Sequence, residues 1–230
     1  PHNELWHGWE TQQLCKLLAA SLGQCDWSVI LDAKTFFINR AKIADIISAD
    51  NKAYSVPGAI ADSFYGDRDY VEQLLNINMH NQVIGPGGVP FMMHTQSVQE
   101  LINHVEEITN QSFCEFFINH ITLPERITEF LLYSGFILYK FGNYSELYQS
   151  YTGPKNLTYN IAIQDYDRFD RLLDEMIKFQ NITLTISMHR NTYPLLSNQQ
   201  RDRWFNLLLD NGLITSIEYT KNKLNTVLLE

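Results

Sequence analysis

The chain has 230 residues, 45% of them hydrophobic, enough to bury a substantial core in one domain. Charged residues make up 19%, which gives no compositional case for disorder. With 17 Lys and Arg against 26 Asp and Glu, the formal net charge is -9; such acidity excludes a broad grip on nucleic acid, which needs clustered cations along a phosphate track, but leaves room for a small anion pocket built on one Lys or Arg.

In chain order, Glu10 to Leu22 places Leu14, Leu17, Leu18 and Leu22 at helical spacing and runs into Gly23, a natural helix terminator. Trp27 to Leu31 is a short apolar run that ends at Asp32, as a buried strand would. Residues 67 to 79 read as a second helix, and Gly85 to Pro90 as a loop of unusual backbone freedom. Phe91 to His94 reads as a strand, with Thr95 placed to cap a helix running to about Ile108. Residues 126 to 140 form a strongly apolar, aromatic helix that should be buried. Leu157 to Ile163 is a strand candidate, and Asp167 to Phe179 an amphipathic helix. Ile182 to Ile186 alternates as a strand and delivers Ser187, His189 and Arg190 at its end, before a last helix over residues 198 to 210. This alternation of helix and strand predicts an α/β fold, in a single domain over residues 1–230.

Cys15, Cys25 and Cys114 are too few and too scattered for a disulfide framework or a zinc site, so reduced thiols in the cytoplasm are the plain expectation. The Asn-x-Ser/Thr triplets at Asn110, Asn143, Asn156 and Asn181 are read as chance in an Asn-rich chain. No apolar run reaches the length of a membrane span. The chain starts at Pro1 without an initiator Met, so an N-terminal segment is expected to be missing.

In an open α/β sheet, ligands gather outside the carboxyl ends of the strands. Three strand ends here carry reactive residues: Asp32, His94, and His189 with Arg190. Asp32 suits a divalent cation or a sugar hydroxyl and Lys34 a diphosphate; alternatively, Asp32 caps a loop and Lys34 is solvated. His94 stands before a helix N-terminus, where anions are favoured, or is a hydrogen-bonded rim residue. Arg190 offers a planar fork for phosphate, and His189 a ligand or proton carrier. Glu129, near the start of an apolar helix, either complements the helix dipole or faces a cleft as a general base. Trp6, Trp9, Gln12, Gln13 and Lys16 form a base- or sugar-reading face, or simply a helix with aromatic packing at its start.

Five stretches occur in an ordered series: Gly8-Trp9-x-x-Gln12-Gln13-x-x-Lys16-Leu17, Leu31-Asp32-Ala33-Lys34, Pro90-Phe91-x-x-His94-Thr95, Thr128-Glu129-Phe130-x-x-Tyr133 and His189-Arg190. In this order they resemble a bacterial and phage family described as glycosyltransferase-like, over about residues 6 to 215. The resemblance implies a GT-A fold, a mixed sheet flanked by helices, and hexosyl transfer from a nucleotide diphosphate sugar to a glycan or other hydroxyl acceptor. It implies that Asp32 takes the first position of an Asp-x-Asp motif, where Lys34 replaces the second Asp. The Lys34 ammonium then stabilises the leaving diphosphate, or a Mn²⁺ or Mg²⁺ ion is held by Asp32 and His189. Glu129 takes the place of an inverting enzyme's base, alongside Asp32 as a catalytic residue. Trp9, Gln12, Gln13, Lys16, His94, Thr95, Tyr133 and Arg190 join Asp32, Lys34 and His189 in binding the donor. A GT-A domain also opens with a strand–helix–strand unit, and here the chain begins at the helix that follows it.

Two other readings stay open. One is a non-catalytic carbohydrate- or nucleotide-binding protein on the same scaffold. The other is a metal-dependent nucleotidyltransferase or hydrolase using Asp32 and His189. A Walker-type phosphate loop and a Gly-x-Ser-x-Gly elbow are both missing from the sequence, which demotes P-loop and serine-hydrolase chemistry.

Overall fold

A computed structural model describes residues 8–32, 34–55, 57–84, 90–120, 127–150, 156–161, 167–189 and 191–218. The elements run α1 (Gly8–Ser21), β1 (Trp27–Ile30), β2 (Thr35–Phe37), β3 (Ala53–Tyr54), β4 (Pro57–Ala59), α2 (Tyr65–Leu75) and β5 (Gln82–Ile84). They continue with β6 (Phe91–His94), α3 (Thr95–Thr109), α4 (Phe113–Asn119), α5 (Glu129–Phe141) and β7 (Tyr148–Gln149). Last come β8 (Asn156–Ile161), α6 (Phe169–Phe179), β9 (Thr183–Met188) and α7 (Asn198–Asp210). The protein is thus mixed α/β, with helices around small sheets. No described helix is long and apolar enough to cross a membrane.

Contacts divide the chain into two compact units, residues 1–30 with 47–151, and residues 31–46 with 152–230. In the first unit, α1 packs on α3 and α5, and α5 also packs on α2. Leu14, Leu17 and Ala20 make the buried face of α1, as the helical spacing of its leucines predicts. Leu22, counted on that face from sequence, is 81% exposed because the helix has ended by then. Gly23 does not use a left-handed conformation. Its value is space: a Cβ there would lie 3.1 Å from both Ser28 Oγ and Thr95 Oγ1. Helix α2 stops at Asn76, which adopts φ 50°, four residues earlier than the apolar pattern suggested. Helix α5 starts under Thr128, whose side chain accepts from the Leu131 N–H, and ends at Gly142 with φ 74°.

β1 and β6 pair antiparallel, with Trp27 opposite His94 and Ile30 opposite Phe91. The carboxyl ends of these two strands therefore lie at opposite ends of their ladder. The expectation that β1 and β6 deliver residues to one shared strand-end edge is corrected by this pairing. Thr95 is also one step from its expected role. His94 occupies the cap position of α3, and Thr95 begins the helix with its N–H donated to the Asp26 carbonyl at 2.8 Å.

The second unit is built on one sheet of order β2–β9–β8. Central strand β9 is buried at all six positions. Thr and Ser alternate with apolar residues along it, and both faces are covered. Ser187 Oγ satisfies itself by donating to Asn160 Oδ1 at 2.7 Å, and Thr183 Oγ1 by donating to the Phe179 carbonyl at 2.9 Å. Helices α6 and α7 contribute Phe169, Leu173, Trp204 and Phe205 to a core shared with Ile186 and Met188. Asn39 ties the chain after β2 to this sheet by donating to the Gln180 carbonyl and, at 2.6 Å, to the Thr183 carbonyl.

The α2–α5 contact yields a test of the first unit's packing. A Cβ on Gly135 would sit 2.5 Å from Val71 Cγ1 and 3.2 Å from Leu75 Cδ1. Gly135→Ala is expected to cost about 1–3 kcal/mol by overpacking, read as a lower thermal midpoint. Pairing it with Val71→Ala is expected to recover part of that loss.

Candidate functional site

Site residues fall into two groups, one in each unit. In the second unit the topology of the three-stranded sheet assembles the first group. β2 runs antiparallel to β9, with Thr35 opposite Ser187, while β8 runs parallel to it, with Ile161 beside Met188. One sheet edge therefore receives the start of β2 and the carboxyl ends of β8 and β9. Asp32 and Lys34 precede β2 at that edge, and His189 follows β9, its N–H donated to the Ile161 carbonyl at 2.8 Å.

The turn into β2 is closed by the Thr35 N–H donating to the Asp32 carbonyl at 2.9 Å. Across it, Lys34 Nζ lies 3.3 Å from Asp32 Oδ2, with the two side chains 34% and 24% exposed. The pair is thus neither solvated freely nor sealed. The His189 backbone carbonyl accepts from the Thr192 N–H at 2.8 Å, and its Nδ1 accepts from the Asn191 N–H at 3.2 Å. With Nδ1 acting as an acceptor, the neutral ring carries its proton on Nε2, the tautomer that donates a hydrogen bond. Thr35 Oγ1 and Thr192 Oγ1 are buried at the same edge without a hydrogen-bond partner among the described residues. Thr158 Oγ1, in the middle of β8, is likewise buried without a partner among the described residues, so such hydroxyls are not confined to this edge.

The residues fit a divalent cation poorly. The carboxylate nearest the expected position already meets an ammonium, and the His189 lone pair faces a backbone N–H. Among the described residues no three His, Cys, Asp or Glu side chains cluster into a site made of protein ligands alone, a set that a Mg²⁺ or Mn²⁺ shared with substrate phosphates does not need.

The second group lies in the first unit. Lys16 on α1 meets Glu129 at the first turn of α5, Nζ to Oε1 2.9 Å, with side-chain exposures of 10% and 2%. Gln13, one turn earlier on α1, accepts the Glu129 N–H through Oε1 at 3.4 Å. Lys16 also stands 5.1 Å from the centre of the Phe130 ring, which stacks on Phe91 at 4.3 Å. A buried charge pair of this quality joins α1 to α5 whatever else it does.

One turn along α5, the Tyr133 hydroxyl accepts the His94 N–H at 2.9 Å and is hydrogen-bonded to the Tyr148 hydroxyl at 2.8 Å. Tyr148 in turn donates to the Met92 carbonyl at 2.7 Å. Burial pushes the pKa of both phenols upward, so they act as neutral hydrogen-bonding links between β6, α5 and β7. His94 packs edge-on against Trp27 at 5.2 Å, with its Nδ1 3.0 Å from Ser97 Oγ. Thr95 is buried, its Oγ1 3.5 Å from Ser28 Oγ. Gln12 is half-buried on α1, and Trp9 lies in the first turn of that helix. Arg190, Trp6 and the loop over residues 85–89 lie outside the described residues.

Sequence reasoning missed three contributors. Tyr148 sits in a two-residue strand too short to show a period. Thr35 and Thr192 carry no motif, and only their burial sets them apart.

A mixed α/β protein with an ionic sheet edge in one unit and a buried charge pair in the other defines the class. The chain matches the model of a family of unknown function, DUF6492, over residues 2–221, and belongs to that family. No curated protein matches it.

Two outcomes follow from the first unit's group. Lys16→Met strands the buried Glu129 carboxylate and is expected to cost about 3 kcal/mol or more in urea denaturation, with much of it recovered by adding Glu129→Gln. His94 is a pH-sensitive element of this group. Burial, followed by the Lys140 charge, lowers its pKa below 6.5, although Asp26 and Glu100 pull the other way. The folded state therefore binds its proton less readily than the unfolded chain. That stability is present above about pH 6.5 and is lost as pH falls towards the folded-state value. Urea titrations at about pH 8 and about pH 5 are expected to differ less in His94→Gln than in the parent.

Proposed function

We propose that the protein is a glycosyltransferase that binds the diphosphate of a nucleotide sugar at the edge carrying Asp32, Lys34 and His189. The single observation that carries this reading is the convergence of the start of β2 with the ends of β8 and β9. It brings an ammonium and an imidazole whose Nδ1 is an acceptor to one sheet edge. That set matches a diphosphate, which is anionic and accepts hydrogen bonds only. The ordered sequence stretches support the same reading, and a GT-A arrangement is part of the proposal.

In the proposed chemistry, Lys34 neutralises charge that grows on the departing diphosphate, and His189 donates a hydrogen bond to it. Asp32 holds Lys34 in place and accepts from a donor hydroxyl. These residues supply the positive charge without a metal ion. Glu129 belongs to the first unit, where its carboxylate is 2% exposed and meets Lys16, and no step at this edge is assigned to it.

The first test is a thermal-denaturation panel of UDP, GDP, CMP and dTDP and their sugar conjugates, with and without EDTA. One nucleotide is expected to stabilise the protein by about 1.4 kcal/mol at ten times its Kd, unaffected by EDTA and abolished by Lys34→Met. The matching sugar nucleotide is expected to release free nucleoside diphosphate. Stabilisation that survives Lys34→Met but disappears with EDTA would contradict the metal-free assignment. Failure of every nucleotide to bind would remove the transferase reading.

A further inference from the structure

The first unit contains an open cleft of about 540 Å³ that, of the two groups of site residues described above, involves Tyr148 alone. Its volume falls within the range of small-ligand sites. Its floor is aromatic and fixed: Tyr144 and Tyr148 are 7% and 2% exposed. Tyr144 donates to the Gln82 carbonyl at 3.2 Å and Tyr148 to the Met92 carbonyl at 2.7 Å. Burial raises the pKa of both phenols, so the floor stays uncharged at neutral pH.

The rim is polar and uncommitted. Side chains of Gln82, Gln149 and Ser150 line the cleft and make no hydrogen bond to another described residue. Amides and hydroxyls both donate and accept, the pattern that a sugar hydroxyl also presents. No Asp or Glu is among the lining residues, in a chain with 26 of them. Lys52 lines the cleft and donates to the Ser145 carbonyl, and the other basic lining residue is His80.

The carboxyl end of α5 also reaches this cleft, through Leu138 and its terminal Gly142. A helix carboxyl end carries a partial negative charge of about half a unit, which offsets much of Lys52. It also disfavours a phosphate dianion. The amide and hydroxyl rim over a rigid, uncharged aromatic floor suits an uncharged, polyhydroxylated ligand. A preformed floor limits the ordering cost of binding it.

We propose that this cleft is a binding site for a neutral saccharide of one or two rings. The site stands on the first unit alone and does not depend on the transferase reading. Saturation-transfer NMR on the full chain, with glucose, galactose, N-acetylglucosamine and maltose as probes and glucuronate as the acidic control, tests it. At least one neutral sugar is expected to receive saturation at millimolar concentration, and glucuronate to bind no more tightly. Gln149→Ala and Gln82→Ala, both at the rim, are expected to weaken that sugar about fivefold each with the thermal midpoint unchanged. The proposal is overturned if no neutral sugar is saturated, if both Gln variants bind like the parent, or if glucuronate binds best.

Discussion

The candidate site depends on the placement of β9 as a fully buried central strand. A strand covered on both faces must satisfy its backbone on both sides, and β9 does so with β2 antiparallel and β8 parallel. Those two directions are not interchangeable for the chemistry. They bring the residues before β2 to the same edge as the residues after β8 and β9. Reversing β2 would carry Asp32 and Lys34 to the far end of the sheet. The core formed by Phe169, Leu173, Trp204 and Phe205 against Ile186 and Met188 fixes which face of β9 turns to the helices, and so fixes the register behind the site.

The first unit solves a different problem, that of holding polar groups inside an apolar helix packing. Glu129 and Lys16 are tolerated because each neutralises the other and Gln13 takes up a backbone N–H beside them. Tyr133 and Tyr148 are tolerated because they link a backbone donor to a backbone acceptor across three elements. Both arrangements are specific: an apolar substitution for one partner leaves the other buried and unmatched.

Much of the secondary structure was readable because it is written in short-range chemistry. The last helix matches residues 198–210 because Ser197 and Gln200 form a capping box ahead of an apolar face. Fold class followed from alternating patterns, and Asp32, Lys34 and His189 were readable as residues beside strand ends. Pairing direction was not readable, because antiparallel β1–β6 and parallel β8–β9 use equally short apolar runs. Asp32 was read as the carboxyl end of β1, but β1 pairs with β6, and Asp32 shares an edge with His189 because it precedes β2; the inclusion of His94 through β6 rested on a parallel ladder that does not form. The Lys16–Glu129 pair spans 113 positions in sequence and leaves no local pattern. Gly23 was noticed for its backbone freedom, yet what it provides is room for Ser28 and Thr95, a packing fact invisible before the strands are placed.

The most direct test of the account is to locate a bound nucleoside diphosphate by amide chemical-shift mapping of the labelled chain. If the sheet edge is the diphosphate site, the largest shifts will fall on Asp32, Lys34, Thr35 and His189, with the amides of α1 and α5 little changed. Shifts concentrated on α1 and α5, with Asp32 to Thr35 unmoved, would contradict it.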